Sequence, residues 1–146
     1  MTETLSLPTF DDVLAAEKRI AGVVCETPIL THAALDAAAG AELLVKAECL
    51  QVTGSFKIRG AMNRLAQIPE AGRKAGVVAF SSGNHAQGVA AAAQLYGIPA
   101  VIVMPEDAPS LKVANTRGYG AEVMLYDRYT EDREAICAAI ADERGL

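Results

Sequence analysis

Apolar positions along the chain fall into two kinds of run. Phe10, Val13, Leu14 and Ile20 recur at helical spacing, and Thr9 with Asp12 three residues on makes an acidic capping box. A helix is therefore predicted from there to about Ala21, stopped by Gly22. Ile58, Met62 and Leu65 predict another, entered from a turn at Thr53-Gly54, capped by Ser55 and running to about Ile68. Between the two lie an extended stretch at 23–30 interrupted by Pro28, an alanine-rich helix at 31–39 ended by Gly40, and a strand at 42–50. After Gly76 the pattern changes. Apolar runs without alternation, at 77–80, 100–104 and 121–126, are each followed by a helical stretch, at 84–96, 109–117 and 130–144. Such strands indicate parallel β-α-β units covered on both faces. The expected architecture is an open α/β sheet, three-layered α/β/α with mostly parallel strands. Ligands bind such sheets beyond the carboxyl ends of the strands, where the loops 81–85 and 105–110 lie.

Composition narrows the function. The 146 residues suffice for one core but are short for a two-domain enzyme. With 13 Lys+Arg against 18 Asp+Glu the formal charge is −5 and no basic stripe appears, which argues against nucleic acid as a partner. No run approaches the roughly 20 apolar residues of a membrane span. The opening Met1-Thr2-Glu3-Thr4 lacks the basic-then-apolar order of a signal peptide. Cys25, Cys49 and Cys137 are scattered and odd in number, so they read as reduced, core-filling thiols of a cytoplasmic protein. His32 and His85 are far apart, and no metal site is expected.

Two segments could carry chemistry. In Gly54-Ser55-Phe56-Lys57-Ile58-Arg59-Gly60, Lys57 falls in the first turn of a helix, whose end carries partial positive charge. That end, the apolar Phe56 and Ile58, and the like charge of Arg59 would all favour the neutral amine, the form that attacks a carbonyl. The competing reading is a solvated lysine in a glycine-bounded turn. In Ser81-Ser82-Gly83-Asn84-His85-Ala86-Gln87-Gly88, a strand gives way to a helix, so free backbone N–H groups, hydroxyls and an amide form a cradle for a carboxylate or phosphate. Equally, Ser82 or Asn84 could simply cap the helix. Val89-Ala90 stands where a P-loop needs Lys-Ser/Thr, and no Gly-x-Gly opens the run, so nucleotide phosphate chemistry is disfavoured. His85 reads as a first-turn hydrogen-bonding residue, and Glu106-Asp107 and 127–134 as solvated helix entries.

Together the segments resemble the fold-type II pyridoxal-phosphate enzymes, in particular the threonine/serine dehydratase and serine racemase branch. The matching residues are Thr27-Pro28, Lys46-Ala47-Glu48, Gln51, Thr53 through Ala61, Ser81 through Gln87, Gly97-Ile98-Pro99, Pro105 and Ala108-Pro109, in the family's order. The resemblance implies the N-terminal part of a tryptophan synthase β-like fold with pyridoxal 5'-phosphate as cofactor. Lys57 would bind it as a Schiff base and then act as base at the substrate Cα; Phe56 would flank its ring and Asn84 hydrogen-bond its 3-hydroxyl. Ser81, Ser82, Gly83, Asn84 and His85 would hold the substrate carboxylate. The implied reaction is dehydration and deamination of L-threonine or L-serine to a 2-oxo acid and ammonia. Ser82 keeps racemisation and dehydration of 3-hydroxyaspartate open, since racemase-like members place a serine base there and many threonine dehydratases an alanine. Outside the family, a carboxylate- or partner-binding module without catalysis stays open.

The family's phosphate-binding glycine loop lies in a later half, whereas only Gly145 follows Gly120 here. The expectation is thus an N-terminal portion, inactive alone, of an enzyme that forms homo-oligomers. Residues 1–52 would belong to the large domain, 53–76 to the lysine-bearing connection and 77–146 to the small α/β domain, with apolar surface exposed through about Leu50.

Overall fold

The computed structural model describes residues 7–146; the reading of Met1 to Thr4 lies outside them. Helix α1 is Phe10–Ile20, and its capping box forms as expected, Thr9 Oγ1 accepting from Asp12 N while Asp12 Oδ2 accepts from Thr9 N. Strands β1 (Ile29–Leu30) and β2 (Val45–Lys46) form a small antiparallel pair around α2 (Ala33–Ala39), which ends on left-handed Gly40. The predicted strand at 42–50 is shorter than expected. The chain leaves the ladder at Ala47 and winds into a 3-10 turn at Glu48–Leu50, which turns the Glu48 carboxylate toward Arg59.

The lysine-bearing helix α3 spans Lys57–Ala66, stopping short of Ile68, and a helix the hydrophobic pattern did not predict, α4 (Glu70–Ala75), follows it. Then β3 (Val77–Phe80), α5 (Asn84–Tyr96), β4 (Ala100–Pro105), α6 (Ser110–Gly118), β5 (Glu122–Tyr126) and α7 (Arg133–Arg144) alternate. The strands form one parallel sheet in the order β3-β4-β5, with Val77 beside Ala100 and Val101 beside Glu122. Helices α5 and α6 cover one face, α7 the other, and α3 packs outside α5. This is the expected α/β/α sheet. Central β4 is buried along its whole length, which is why its apolar run shows no alternation. Gly76 is required at the entry to β3: its φ is +111°, and a Cβ there would meet the Pro99 carbonyl at 2.8 Å.

The core is aliphatic and alanine-rich, centred on Ile58, Met62, Leu65, Ala86, Ala90, Ala92 and Ile102. Of the cysteines only Cys137 fills the core, beside Val101 and Val103 of the sheet; Cys25 and Cys49 are exposed, contrary to expectation, since they lie in the opening segment outside that sheet. The early apolar residues are open as anticipated. Phe10 is 73% and Leu44 65% exposed, and α1 turns its Phe10–Val13–Leu14–Ile20 face to a groove of about 530 Å³. Among the described residues no helix is long and apolar enough to cross a membrane.

A charged clamp holds this opening segment on α3. Arg59 donates through Nε and Nη2 to the two Glu48 oxygens at 2.9 and 2.8 Å and also to the Cys25 carbonyl at 3.0 Å. Thr27 Oγ1 donates to Glu48, Lys46 Nζ to the Thr27 carbonyl, and the Gln51 amide brackets Cys25 from both sides of its backbone. Arg59, and then the Thr27 hydroxyl, hold the Glu48 carboxyl down at about 2, from an ordinary 4.5. A depressed carboxylate contributes stability that is complete above its unfolded value and lost as pH falls through its folded one. We therefore expect the urea midpoint to fall as pH drops from about 4.5 toward 2. Glu48→Gln should lower the midpoint at pH 7 and flatten its dependence on pH across that window.

Candidate active site

Lys57 is the first residue of α3, as its place in the sequence predicts, but Ser55 does not cap the helix. Phe56 occupies the cap position in αR conformation with no side-chain cap bond, and the Ser55 hydroxyl is buried without a partner. The turn Gln51–Gly54, closed by a 2.7 Å bond from Gly54 N to the Gln51 carbonyl, directs the Ser55 side chain inward instead. Lys57 itself is exposed and its ammonium lies over the Phe56 ring, 5.0 Å from the centroid. Phe56 is 58% exposed, so it offers the lysine a ring face rather than an apolar enclosure. Arg59, expected as a like charge beside Lys57, is paired with Glu48.

The second segment lies beyond the carboxyl end of β3. Ser81 N continues the ladder to the Val103 carbonyl at 3.1 Å, and Ser81 Oγ then accepts from Gly83 N at 3.2 Å. Gly83 is the cap residue of α5 and makes no side-chain cap bond. Neither Ser82 nor Asn84 caps the helix: Ser82 is exposed, and Asn84 Oδ1 accepts instead from Lys112 Nζ at 2.7 Å. The backbone N–H groups of Asn84, His85 and Ala86 therefore find no acceptor among the described residues. They make the N-terminus of a 13-residue helix an open anion cradle. His85 makes no hydrogen bond among the described residues, unlike the first-turn role expected of it. Partial desolvation, and then the Lys57 ammonium, push its imidazole below its ordinary value.

Lys57 and this cradle meet because α3 and α5 pack closely. A Cβ at Gly88 would lie 3.2 Å from the Lys57 carbonyl carbon and 3.3 Å from Ile58 N. Gly88 is one turn after Asn84, so the backbone of Lys57 runs beside the first turn of α5. The loop of Glu106 and Asp107 is not simply solvated: Asp107 pairs with Arg128 at 2.6 Å. Similarly Asp127 and Glu131 fold 127–131 into a hydrogen-bonded turn before Asp132 caps α7, so that helix starts later than predicted.

Three buried polar atoms have no partner among the described residues: Thr53 Oγ1, Ser55 Oγ and Gln87 Nε2. Ser55 and Gln87 belong to the two segments that meet here, and Thr53 stands directly before the first. Buried groups of this kind are costly unless something polar completes them. An amine at one helix start, free N–H groups and an amide at another, and this unmet hydrogen-bonding capacity suit a ligand with a carbonyl and anionic groups.

These observations agree with comparison to known proteins. The chain belongs to the pyridoxal-phosphate dependent enzyme family, whose model matches residues 20–146. It is 56% identical over 142 residues to an L-threo-3-hydroxyaspartate ammonia-lyase of a Pseudomonas species, covering 97% of this chain and 44% of that protein. It is 51% identical to the serine racemase of Schizosaccharomyces pombe over all 146 residues, 45% of that protein. Maize serine racemase superposes with a TM-score of 0.88 at 43% identity, over 93% of this chain and 41% of that one. The chain thus spans less than half the length of these relatives. The family resemblance, the fold and the cofactor, pyridoxal 5'-phosphate, hold.

Sequence reasoning missed the partners of the site residues: Glu48 for Arg59 and Lys112 for Asn84. The second carried a signal, since Lys112 and Asn115 repeat the three-residue spacing of Asn84 and Gln87. The closeness at Gly88 makes a direct prediction. Gly88→Ala forces α5 and the start of α3 apart by a few tenths of an ångström, and should destabilise by about 1–3 kcal/mol in a urea melt. Gly60→Ala, where a Cβ meets nothing within 4 Å, should be neutral or stabilising by up to about 1 kcal/mol.

Proposed function

We propose that this chain carries the lysine and the substrate-carboxylate half of an enzyme that eliminates water and ammonia from L-threonine or L-serine. The observation behind the reading is the placement of Lys57 against the uncapped first turn of α5. Lys57 would hold pyridoxal phosphate, Phe56 flank its ring, and Asn84 donate to its 3-hydroxyl oxygen. When bound, the cofactor serves as an electron sink for the pair left at the substrate Cα. The chain's own residues supply the rest. The free N–H groups at Asn84 and His85, with the Ser81 and Ser82 hydroxyls, bind the substrate carboxylate and fix the Cα–H bond toward Lys57. Lys57 Nζ takes the Cα proton and returns one to the departing β-hydroxyl, which leaves as water. Hydrolysis of the enamine product then gives the 2-oxo acid and ammonia.

The reading extends to the protein's setting. Two exposed thiols, Cys25 and Cys49, suit a reducing compartment, and we place the enzyme in the cytoplasm. The exposed apolar residues of the opening segment suit a longer chain that assembles as a homo-oligomer. Residues 1–52, 53–76 and 77–146 are proposed as its large-domain start, lysine-bearing connection and small domain, and the 146 residues as inactive alone. A second reading, racemisation, is favoured by one observation: the Ser82 hydroxyl is exposed at the cradle with no partner among the described residues, so it is free to carry a proton. Dehydration of 3-hydroxyaspartate would use the same Lys57 chemistry.

The test is to add pyridoxal phosphate, reduce with borohydride and map the modified lysine by mass spectrometry. Label confined to Lys57 and lost in Lys57→Ala is expected; label scattered over Lys18, Lys46, Lys74 and Lys112 would overturn the reading. In the full-length enzyme, Lys57→Ala should lower elimination at least about 10²-fold, as loss of a proton-transfer group does. Ser82→Ala should leave elimination measurable, and would remove interconversion of enantiomers if the second reading applies.

A further inference from the structure

Asn84 is a symmetric-looking group with an asymmetric task. Its amide has one acceptor oxygen and one donor nitrogen, and only the donor end can serve a ring hydroxyl oxygen or another anion. At a helix N-terminus the oxygen is ordinarily drawn back onto the free backbone N–H groups, as in an N-cap, which would occupy the cradle and turn the amide round. Here that does not happen. Lys112 Nζ, on α6, donates to Asn84 Oδ1 at 2.7 Å, so the oxygen is held toward α6 and the NH2 is left facing away from it.

Lys112 is itself held in register. Thr116, fully buried, donates its hydroxyl to the Lys112 carbonyl at 2.8 Å and fixes that turn of α6. Three residues on from Lys112, Asn115 Nδ2 donates to Gln87 Oε1 at 2.8 Å, and Gln87 is only 3% exposed. The two helices thus share two rungs, Lys112 to Asn84 and Asn115 to Gln87. The inner rung adds to the packing of α6 on α5, and the outer one sets the amide. The outer rung also places an ammonium beside the cradle, where it adds to the positive end of α5.

We propose that Lys112 is a positioning residue that orients the Asn84 amide, donor end outward, for the bound cofactor. The inference rests on the reading of Asn84 as a contact to the cofactor ring. Two measurements test it. In the protein without cofactor, the Asn84 side-chain NH2 resonances should shift in Lys112→Met and return toward their original positions in Lys112→Arg, which keeps a donor. With pyridoxal phosphate bound, Lys112→Met should change the division of the visible absorption between its two bands and weaken cofactor binding about fivefold, the worth of one hydrogen bond. Lys112→Arg should restore both. Asn115→Ala should lower the melting temperature without changing the bands, which separates orientation from mere helix packing. If Asn84→Ala alters the bands while Lys112→Met alters neither bands nor resonances, the positioning role is overturned. If Asn84→Ala leaves the bands unchanged, the cofactor reading of Asn84 fails and takes the positioning role with it.

Discussion

The close approach of α3 to α5 is the constraint on which the site depends. Lys57 and the anion cradle belong to different structural units, one to the segment before the sheet and the other to the first crossover within it. They come together because α5 turns Gly88 toward α3, which lets the Lys57 backbone within van der Waals range, and Ala91 and Ala92, on the same side of α5 by helical spacing, are almost wholly buried. Helices that meet on small side chains lie closer and allow less sliding, since an interior packed to organic-crystal density has nowhere to take up a shift. The alanine-rich composition is thus a structural requirement of the site as well as a property of the core. Larger residues at these positions would separate the start of α3 from the free N–H groups of α5.

That approach concentrates positive charge. The start of α3 carries Lys57, the start of α5 carries three unpaired N–H groups, and Lys112 adds an ammonium at Asn84. Among the described residues no carboxylate forms an ion pair with Lys57 or Lys112, and Glu48 is committed to Arg59, Asp107 to Arg128 and Glu122 to Arg144. A chain of formal charge −5 therefore keeps a small local region in need of anions. Its overall charge says nothing of this, because fields in a cleft are set by nearby groups over distances shorter than the screening length of roughly 10 Å.

The parallel sheet was legible because helices cover both of its faces, so its strands read as apolar runs without alternation; central β4 is buried throughout, β3 is half-buried, and β5 is exposed at Glu122 and Leu125. The element boundaries after Val77 differ from the sequence reading by a residue or three. The opening segment was less legible. Residues 42–50 carry a strand-like pattern, but the chain turns at Glu48 to reach Arg59, an interaction across eleven positions that no local pattern announces. Helix α4, Glu-Ala-Gly-Arg-Lys-Ala, has no apolar face to give it away. Within the site the types of residue were legible and their hydrogen bonds were not. Ser55 looks like a cap and is turned inward; Asn84 looks like a cap and is drawn off by a lysine 28 positions away. In both cases a tertiary contact overrode a local preference.

Lys57 and Arg59 show how one helical turn joins the two halves of the arrangement. Two residues apart on an α-helix, side chains diverge by about 200°, so they cannot serve the same face. Arg59 reaches back to Glu48 and the Cys25 carbonyl and ties the opening segment to α3, while Lys57 is left over the Phe56 ring beside α5. The clamp does two things for the lysine. It fixes the rotation of α3 about its axis, and it neutralises the guanidinium that would otherwise stand as a like charge next to the amine. A lysine replacing Arg59 would keep the charge but lose the two-pronged fit to the carboxylate, and with it the fixed rotation. The orientation of the Lys57 amine is therefore set by a residue that need never touch a ligand.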